Sequence, residues 1–340
     1  MKKITAIIVS IVTAFTLALS CGAETNSVGA TEDVSPYLKK ASAWANKNIV
    51  LEAGEKESDM LVIANCKYNG NSAYKNYCAD LKDYITENMD GFGNEEWLRA
   101  ALTMVCAGGE TTIDGDTDLI HWAVFLNDKL STAMELSWAL IIIGEADAKP
   151  LTTVVNTADS LIYKLLQLQK EDGSFEGENR VIATAYALNA LSYFTKTNDN
   201  AKAAVPKITD SLAEMYKNGE ITACRELSAA ISGLTSSGIN VLTDSRFEGV
   251  SRKLTKLMNK DGGYGEVKGD ESQPDATIAA YYGLISAVSG AAAKPVTMDE
   301  AAGMMGAFLN MFIVLLLIFG VIAVMNLIRK KREKDGKTDE

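Results

Sequence analysis

The chain has 340 residues, is 47% hydrophobic and carries a formal net charge of −11. That length suffices for one large core or two modest ones, and the acidity argues against nucleic acid and against lying flat on anionic lipid. One histidine, and five cysteines without a Cys-x-x-Cys pair, argue against a structural zinc site.

In chain order, Lys2 and Lys3 precede an apolar run from Ile4 to Leu19, and the small residues Ser20, Gly22 and Ala23 follow. A charged start, a short apolar stretch and a small-residue exit predict a signal peptide over 1–23. Ala18-Leu19-Ser20-Cys21 is similar to a bacterial lipoprotein cleavage site, with Ala in place of the usual Leu, which leaves lipidation of Cys21 open. Residues 24–34 are a short N-terminal segment.

Residues 35–290 read as one all-α domain. A small–apolar–x–small–Leu word recurs at Ala187-Leu188-Asn189-Ala190-Leu191, Ala230-Ile231-Ser232-Gly233-Leu234 and Ala280-Tyr281-Tyr282-Gly283-Leu284, with looser copies at Ala101 and Ala139 and a degenerate one at 59–66. Such a period marks a repeat architecture. The expected inner helices are 59–66, 95–106, 132–143, 181–194, 223–235 and 275–288. Each has an expected outer partner upstream, at 37–53, 74–89, 117–129, 151–170, 203–217 and 246–259. Leu161, Ile162, Leu165, Leu166 and Leu168 show helical rather than alternating spacing. Asn94, Ser131 and Asp275 stand where N-caps are expected. Two Asp-Gly turns, at Asp172 and Asp261, join outer to inner helices, with glycine supplying positive φ and Phe175 or Tyr264 packing back over the junction. Cys66 and Cys78 end facing helices, which leaves a disulfide between them open; Cys106 and Cys224 read as small buried hydrophobes.

Beyond the domain, 291–303 is a linker. From Met304 to Ile328 the chain is apolar apart from Asn310 and Asn326, and Arg329, Lys330, Lys331 and Arg332 follow. Twenty-five residues span about 37 Å, enough for one transmembrane helix. Basic residues stay inside, so 329–340 is a cytoplasmic tail and the domain is extracellular. The first 23 and last 12 residues each carry +2, so the segment between them carries −15.

QLQKEDGSF (167–175) and LMNKDGGYG (257–265), each followed by Ala-Thr and the small–Leu helix, resemble the Gln-x-x-Asp-Gly repeats of the terpenoid-cyclase and protein-prenyltransferase superfamily. Met258 replaces the usual first Gln. Residues 232–267 are similar to bacterial secreted prenyltransferase or squalene-cyclase repeat proteins. The resemblance implies an α6/α6 toroid of six helical pairs. It does not carry the family's chemistry across. The Asp-x-Asp-Asp proton donor, an Asp two residues before Cys for zinc, and a Cys-Gly-Glu-Gln thioester are all absent. No catalytic or metal-binding residue and no cofactor is therefore expected. Cobalamin carriers share the toroid, which leaves a corrinoid-like ligand open. Asp114, Asp116 and Asp118 alternate as in a calcium loop, but Leu119 and Phe125 stand where an EF-hand needs Gly and Glu. The imidazole of His121 is of a kind that ligates the cobalt of a corrinoid, although a lone histidine on a helix is more often surface or core.

A toroid has a mouth where inner helices begin, with unpaired N–H groups and the positive dipole end. The candidate mouth residues are Trp97, Glu135, Arg180, Thr184, Arg225, Glu226, Asp275 and Thr277. Each is also a natural cap or rim residue. The favoured expectation is a membrane-tethered, non-catalytic domain that captures a small molecule or peptide outside the cell and hands it to a transporter or another surface protein. The alternatives are an enzyme of cyclase or prenyltransferase type using a non-standard acid on a lipid or isoprenoid, and a structural or adhesion protein. Fifteen residues between 289 and 303 reach at most about 50 Å, so the domain is held close to the membrane. Protease added to intact cells should remove the ectodomain and spare the tail; a protected ectodomain would reverse this topology.

Overall fold

The computed structural model describes residues 33–289, apart from 71–72, 114, 116–117 and 151–153. The expected signal peptide, linker, transmembrane helix and tail lie outside the described residues. Among the described residues no helix is long and apolar enough to cross a membrane.

The domain is all-α. Its helices are α1 (Ser35–Asn48), α2 (Lys56–Asn69), α3 (Lys75–Asn88), α4 (Asn94–Ala107), α5 (Ala133–Ala146), α6 (Ala158–Gln167), α7 (Arg180–Ser192), α8 (Asp199–Lys217), α9 (Cys224–Ser236), α10 (Val250–Thr255) and α11 (Pro274–Ser289). Among the described residues there is no strand, only isolated bridges such as Gln169 to Phe175 and Met258 to Tyr264.

Two kinds of helix follow from two kinds of sequence. Helices α1, α3 and α6 bury one stripe each: Leu38, Ala41 and Ala45; Tyr77, Cys78, Leu81 and Ile85; Leu161, Ile162 and Leu165. Such helices belong on a surface. Helices α5, α7, α9 and α11 bury residues on nearly every side, as central helices must. The packing follows this division. Helix α2 packs on α4, α4 on α5, α5 on α7, α7 on α9, α9 on α11, and α11 on α2 again. The single-stripe helices lie against this closed cycle: α1 on α11 and α2, α3 on α4, α6 on α5, and α10 on α9 and α11.

Each Asp-Gly turn is built in the same way. The Asp172 carboxylate accepts from the Ser174 N–H at 3.0 Å, and the Asp261 carboxylate accepts from the Gly263 N–H at 3.1 Å. Gly173 has φ 88° and Gly262 φ 94°. The following aromatics, Phe175 and Tyr264, are fully buried. Their N–H groups donate to Thr184 Oγ1 at 3.0 Å and Thr277 Oγ1 at 2.9 Å. The second turn also joins the two ends of the domain. Trp44 Nε1 donates to Asp261 Oδ2 at 2.9 Å across 217 positions, and the Tyr281 hydroxyl donates to Asn65 Oδ1 at 3.0 Å across 216.

Four expectations need correction. The outer helix expected over 117–129 is only a π-helical turn, His121–Phe125. The Phe125 carbonyl accepts the Val155 and Asn156 N–H groups at 2.9 and 3.0 Å, so it is not available to continue the helix. The helix expected over 246–259 is reduced to α10 because Gly249, with φ 77°, separates it from the 3-10 turn Ser245–Phe247. The helix expected over 37–53 stops at Asn48, and Ser58 Oγ then binds Val50 O and Glu52 N. The caps are displaced: Gly93 caps α4, one residue before Asn94, Thr132 caps α5, one residue after Ser131, and Asp275 is already inside α11. Cys66, Cys78, Cys106 and Cys224 are free thiols; Cys224 is fully buried, and Cys106 only partly.

The two turn glycines differ in their surroundings. A Cβ at Gly173 would lie 2.6 Å from the Lys207 carbonyl oxygen, whereas one at Gly262 would lie 3.3 Å from that of Lys40. Both positions cost an L-residue about 1–2 kcal/mol for positive φ, and Gly173 adds a backbone clash. In urea melts, Gly173→Ala should lose more stability than Gly262→Ala. Equal losses would remove the close packing of the first turn on α8.

Candidate functional site

The expected mouth residues do sit at the starts of the central helices, and their polar groups are already engaged within the fold. Glu135 accepts from the Thr132 and Ser131 N–H groups at 2.9 and 3.0 Å and from Asn94 Nδ2, at the start of α4, at 2.7 Å. Glu226 repeats this: it accepts from Ala223 and Thr222 at 2.9 and 3.0 Å and from Asn179 Nδ2, before α7, at 2.9 Å. A helix-capping glutamate thus doubles as a tie to the preceding central helix. Arg180 pairs with Asp172 and with Glu220, the latter at 3.4 Å. Arg225 pairs with Glu266 at 3.0 Å and with Asp275 at 3.6 Å. Thr184 and Thr277 are fully buried in the turns, and Trp97 meets Phe92 edge-on at 5.2 Å. These residues are brought to helix starts but not around a common centre.

A different set converges in the interior. Lys67 near the end of α2 pairs with Glu145 near the end of α5, and their side chains keep only 9% and 8% exposure. Tyr193, just past α7, donates its hydroxyl to the same Glu145 oxygen at 2.5 Å. The Tyr282 hydroxyl of α11 is acted on by Lys67, Glu145, Cys106 of α4 and Tyr186 of α7. These groups come from five of the six helices in the cycle, and α5 and α11 lie opposite one another in it. Groups that meet from opposite sides of a closed ring meet on its axis.

The same contacts fix helix direction. Asn94–Glu135, Asn179–Glu226 and Arg225–Asp275 join helix starts, while Lys67–Glu145–Tyr193 joins helix ends. The six central helices therefore run in one direction. The capping ties lie at one end of the axis and the ion pair lies toward the other.

Burial is the main force on the axial groups. It pushes the Cys106 thiol and the Tyr282 phenol up to about 12, and it raises Tyr186 and Tyr193 as well. Burial disfavours the Lys67 ammonium, but Tyr282, Cys106 and Glu145 outweigh it and its pKa is raised. The axis thus holds an ammonium facing an accepting carboxylate, with neutral phenols and a neutral thiol around them. Yet Lys67, Cys106, Trp138, Glu145, Tyr186, Tyr193 and Tyr282 all keep partial accessibility. Partly accessible side chains inside a cycle of helices are the candidate lining of a shared space. Trp138 and Tyr186 form one wall of it, with rings 6.3 Å apart and 18° from parallel. Trp138 Nε1 and Asn189 Oδ1 are buried without a partner, a cost of about 1–3 kcal/mol each.

Sequence reasoning missed this set, although Lys67 and Glu145 are charged residues near the ends of otherwise apolar helices, which is a visible signal. Among the described residues, no three His, Cys, Asp or Glu side chains are grouped as a metal site requires. His121 makes a ring contact with Phe125 at 6.1 Å, and its Nδ1 is buried without a partner. No protein-family model matches this chain, and no curated protein matches it in sequence.

Three variants separate structural ties from dispensable rim charges. Thr184→Val strands the buried Phe175 N–H and should cost about 1–3 kcal/mol in denaturant melts. Arg225→Ala, with half its side chain exposed, should stay within about 0.5 kcal/mol of the parent. Burial pushes Glu226 up, but the Thr222, Ala223 and Asn179 donors outweigh it and hold it below the usual range. A depressed carboxylate stabilises the fold above its unfolded pKa, and that contribution is lost as pH falls through the folded value. Glu226→Gln should therefore be less stable at neutral pH, and its melts between about pH 5 and 3 should depend less on pH than the parent's. An unchanged acid slope would exclude the capping role.

Proposed function

We propose that residues 35–290 form an α6/α6 toroid, tethered outside the cell by the C-terminal apolar segment, that captures a small molecule in its axial space without transforming it. The observation that carries this reading is the convergence of Lys67, Glu145, Tyr193 and Tyr282, beside the Trp138–Tyr186 wall, on the axis of a closed ring of helices. A ring in which starts meet starts and ends meet ends supports the toroid. A concave, largely aromatic site with a few convergent polar groups is the usual form of a small-molecule site. Enclosure by six helices favours a small molecule over a peptide. The helix-start residues keep the role of a rim, because their charges are spent on each other.

A cyclase-like enzyme is the second reading. Four aromatic side chains and a buried carboxylate around one space favour it. Against it, Glu145 accepts from both Lys67 and Tyr193, so it offers no proton to a substrate double bond.

Mass spectrometry of small molecules released from the full-length protein, purified in mild detergent, tests both readings. A stoichiometric, chemically unaltered ligand is expected. Trp138→Ala should weaken its retention at least about tenfold, or about 1.4 kcal/mol. Lys67→Ala should cost the fold about 3–5 kcal/mol, because it leaves Glu145 buried without its cation. Turnover of a polyisoprenoid diphosphate or alcohol, abolished by Glu145→Gln, would establish the enzyme instead.

A further inference from the structure

The axial space carries its own specification of what fits it. Among the described residues that line it, one cation and one anion face each other, so the pair presents no net charge. The thiol and phenols around them are held neutral, because burial raises every one of them. A ligand with a formal charge would meet an opposing charge of its own sign within the same pair, and nothing left over to neutralise it. The site therefore favours a neutral occupant.

Polar capacity nevertheless remains. Lys67 and Tyr193 both donate to the same oxygen of Glu145, which leaves the second carboxylate oxygen without a hydrogen-bond partner among the described residues. The hydroxyls of Tyr186 and Tyr282 likewise have no partner there. One of these groups accepts only and two can donate or accept. Covering them with a hydrocarbon would remove them from water with nothing in exchange, a cost that grows with each polar group buried. A hydroxyl answers all three, since it donates to the carboxylate and does either for the phenols. The flat faces of Trp138 and Tyr186 add apolar surface for the C–H face of a saturated ring.

Resting on the axial site proposed above, we infer that its ligand is a neutral, polyhydroxylated ring compound, the chemistry of an uncharged sugar or cyclic polyol, rather than an isoprenoid or an ion. Glu145 accepts hydrogen bonds from its hydroxyls, Tyr282 and Tyr186 reach its remaining oxygens, and the Trp138 wall stacks on its ring.

The test titrates the full-length protein in detergent and follows tryptophan fluorescence. The probes are glucose, galactose, N-acetylglucosamine, maltose and myo-inositol; the charged relatives glucosamine and gluconate; and farnesol. At least one neutral probe should give a saturable change that disappears in Trp138→Phe. Tyr282→Phe keeps the ring and removes the hydroxyl, so it should fold as the parent does and weaken that probe about fivefold. Both charged relatives should bind at least about tenfold more weakly than their neutral counterpart. Saturable farnesol binding without any sugar overturns this inference and leaves small-molecule capture standing. Tighter binding of a charged sugar, or sugar binding indifferent to Trp138→Phe and Tyr282→Phe, also overturns it. Silence from every probe, together with no co-purifying molecule, removes both the inference and the capture reading beneath it.

Discussion

The rest of the structure depends on how closely the central helices approach one another. A Cβ added to Gly233 would lie 2.5 Å from the Ala185 carbonyl oxygen, and one added to Gly283 would lie 2.8 Å from the Ser228 Cα. Backbone therefore meets backbone across the α7–α9 and α9–α11 seams. The two contacts occupy the same register, since Gly233 and Gly283 follow Ala230 and Ala280 by three residues, while Ala185 and Ser228 precede Ala187 and Ala230 by two. The small–apolar–x–small–Leu word is the sequence form of this seam. Larger side chains there would push the helices apart, and helices held at ordinary 8–10 Å spacing would make a wider ring with a looser axis.

Parallel central helices bring all their starts to one end, where unpaired N–H groups accumulate. The chain answers this locally. Glu135 and Glu226 cap their own helices and bind an asparagine of the preceding one, so each cap is also a seam contact. Thr184 and Thr277 satisfy the aromatic residue of each Asp-Gly turn. This end is consumed in holding the repeat together. Lys67, Glu145 and Tyr193 are held instead by an ion pair and a hydrogen bond to one another, toward the opposite ends of the central helices.

Much of the fold was legible because the signals that specify it are short-range. The Asp-Gly turns announce positive φ at Gly173 and Gly262, and an aromatic two residues on announces the buried junction. The central helices were expected within three residues of their observed ends, because their small–Leu period depends on nearest neighbours in the chain. The outer helices at 117–129 and 246–259 were overextended for the converse reason. The first ends where residues 155 and 156 take the Phe125 carbonyl, a contact from 30 positions away that no local pattern encodes.

The candidate site divides along the same line. The amino-acid sequence by itself determined an all-α repeat with capped central helices, and it marked the residues at their starts, because caps and turns act over three or four residues. Only the tertiary structure decided that those residues are bound to each other. It alone brought Lys67, Cys106, Glu145, Tyr186, Tyr193 and Tyr282 together, from positions spread over more than 200 residues of chain. Closure of the ring, with α11 returning to α2 and Trp44 reaching Asp261, is what makes those distant positions neighbours. That closure is a property of all the seams acting together, and no single repeat contains it.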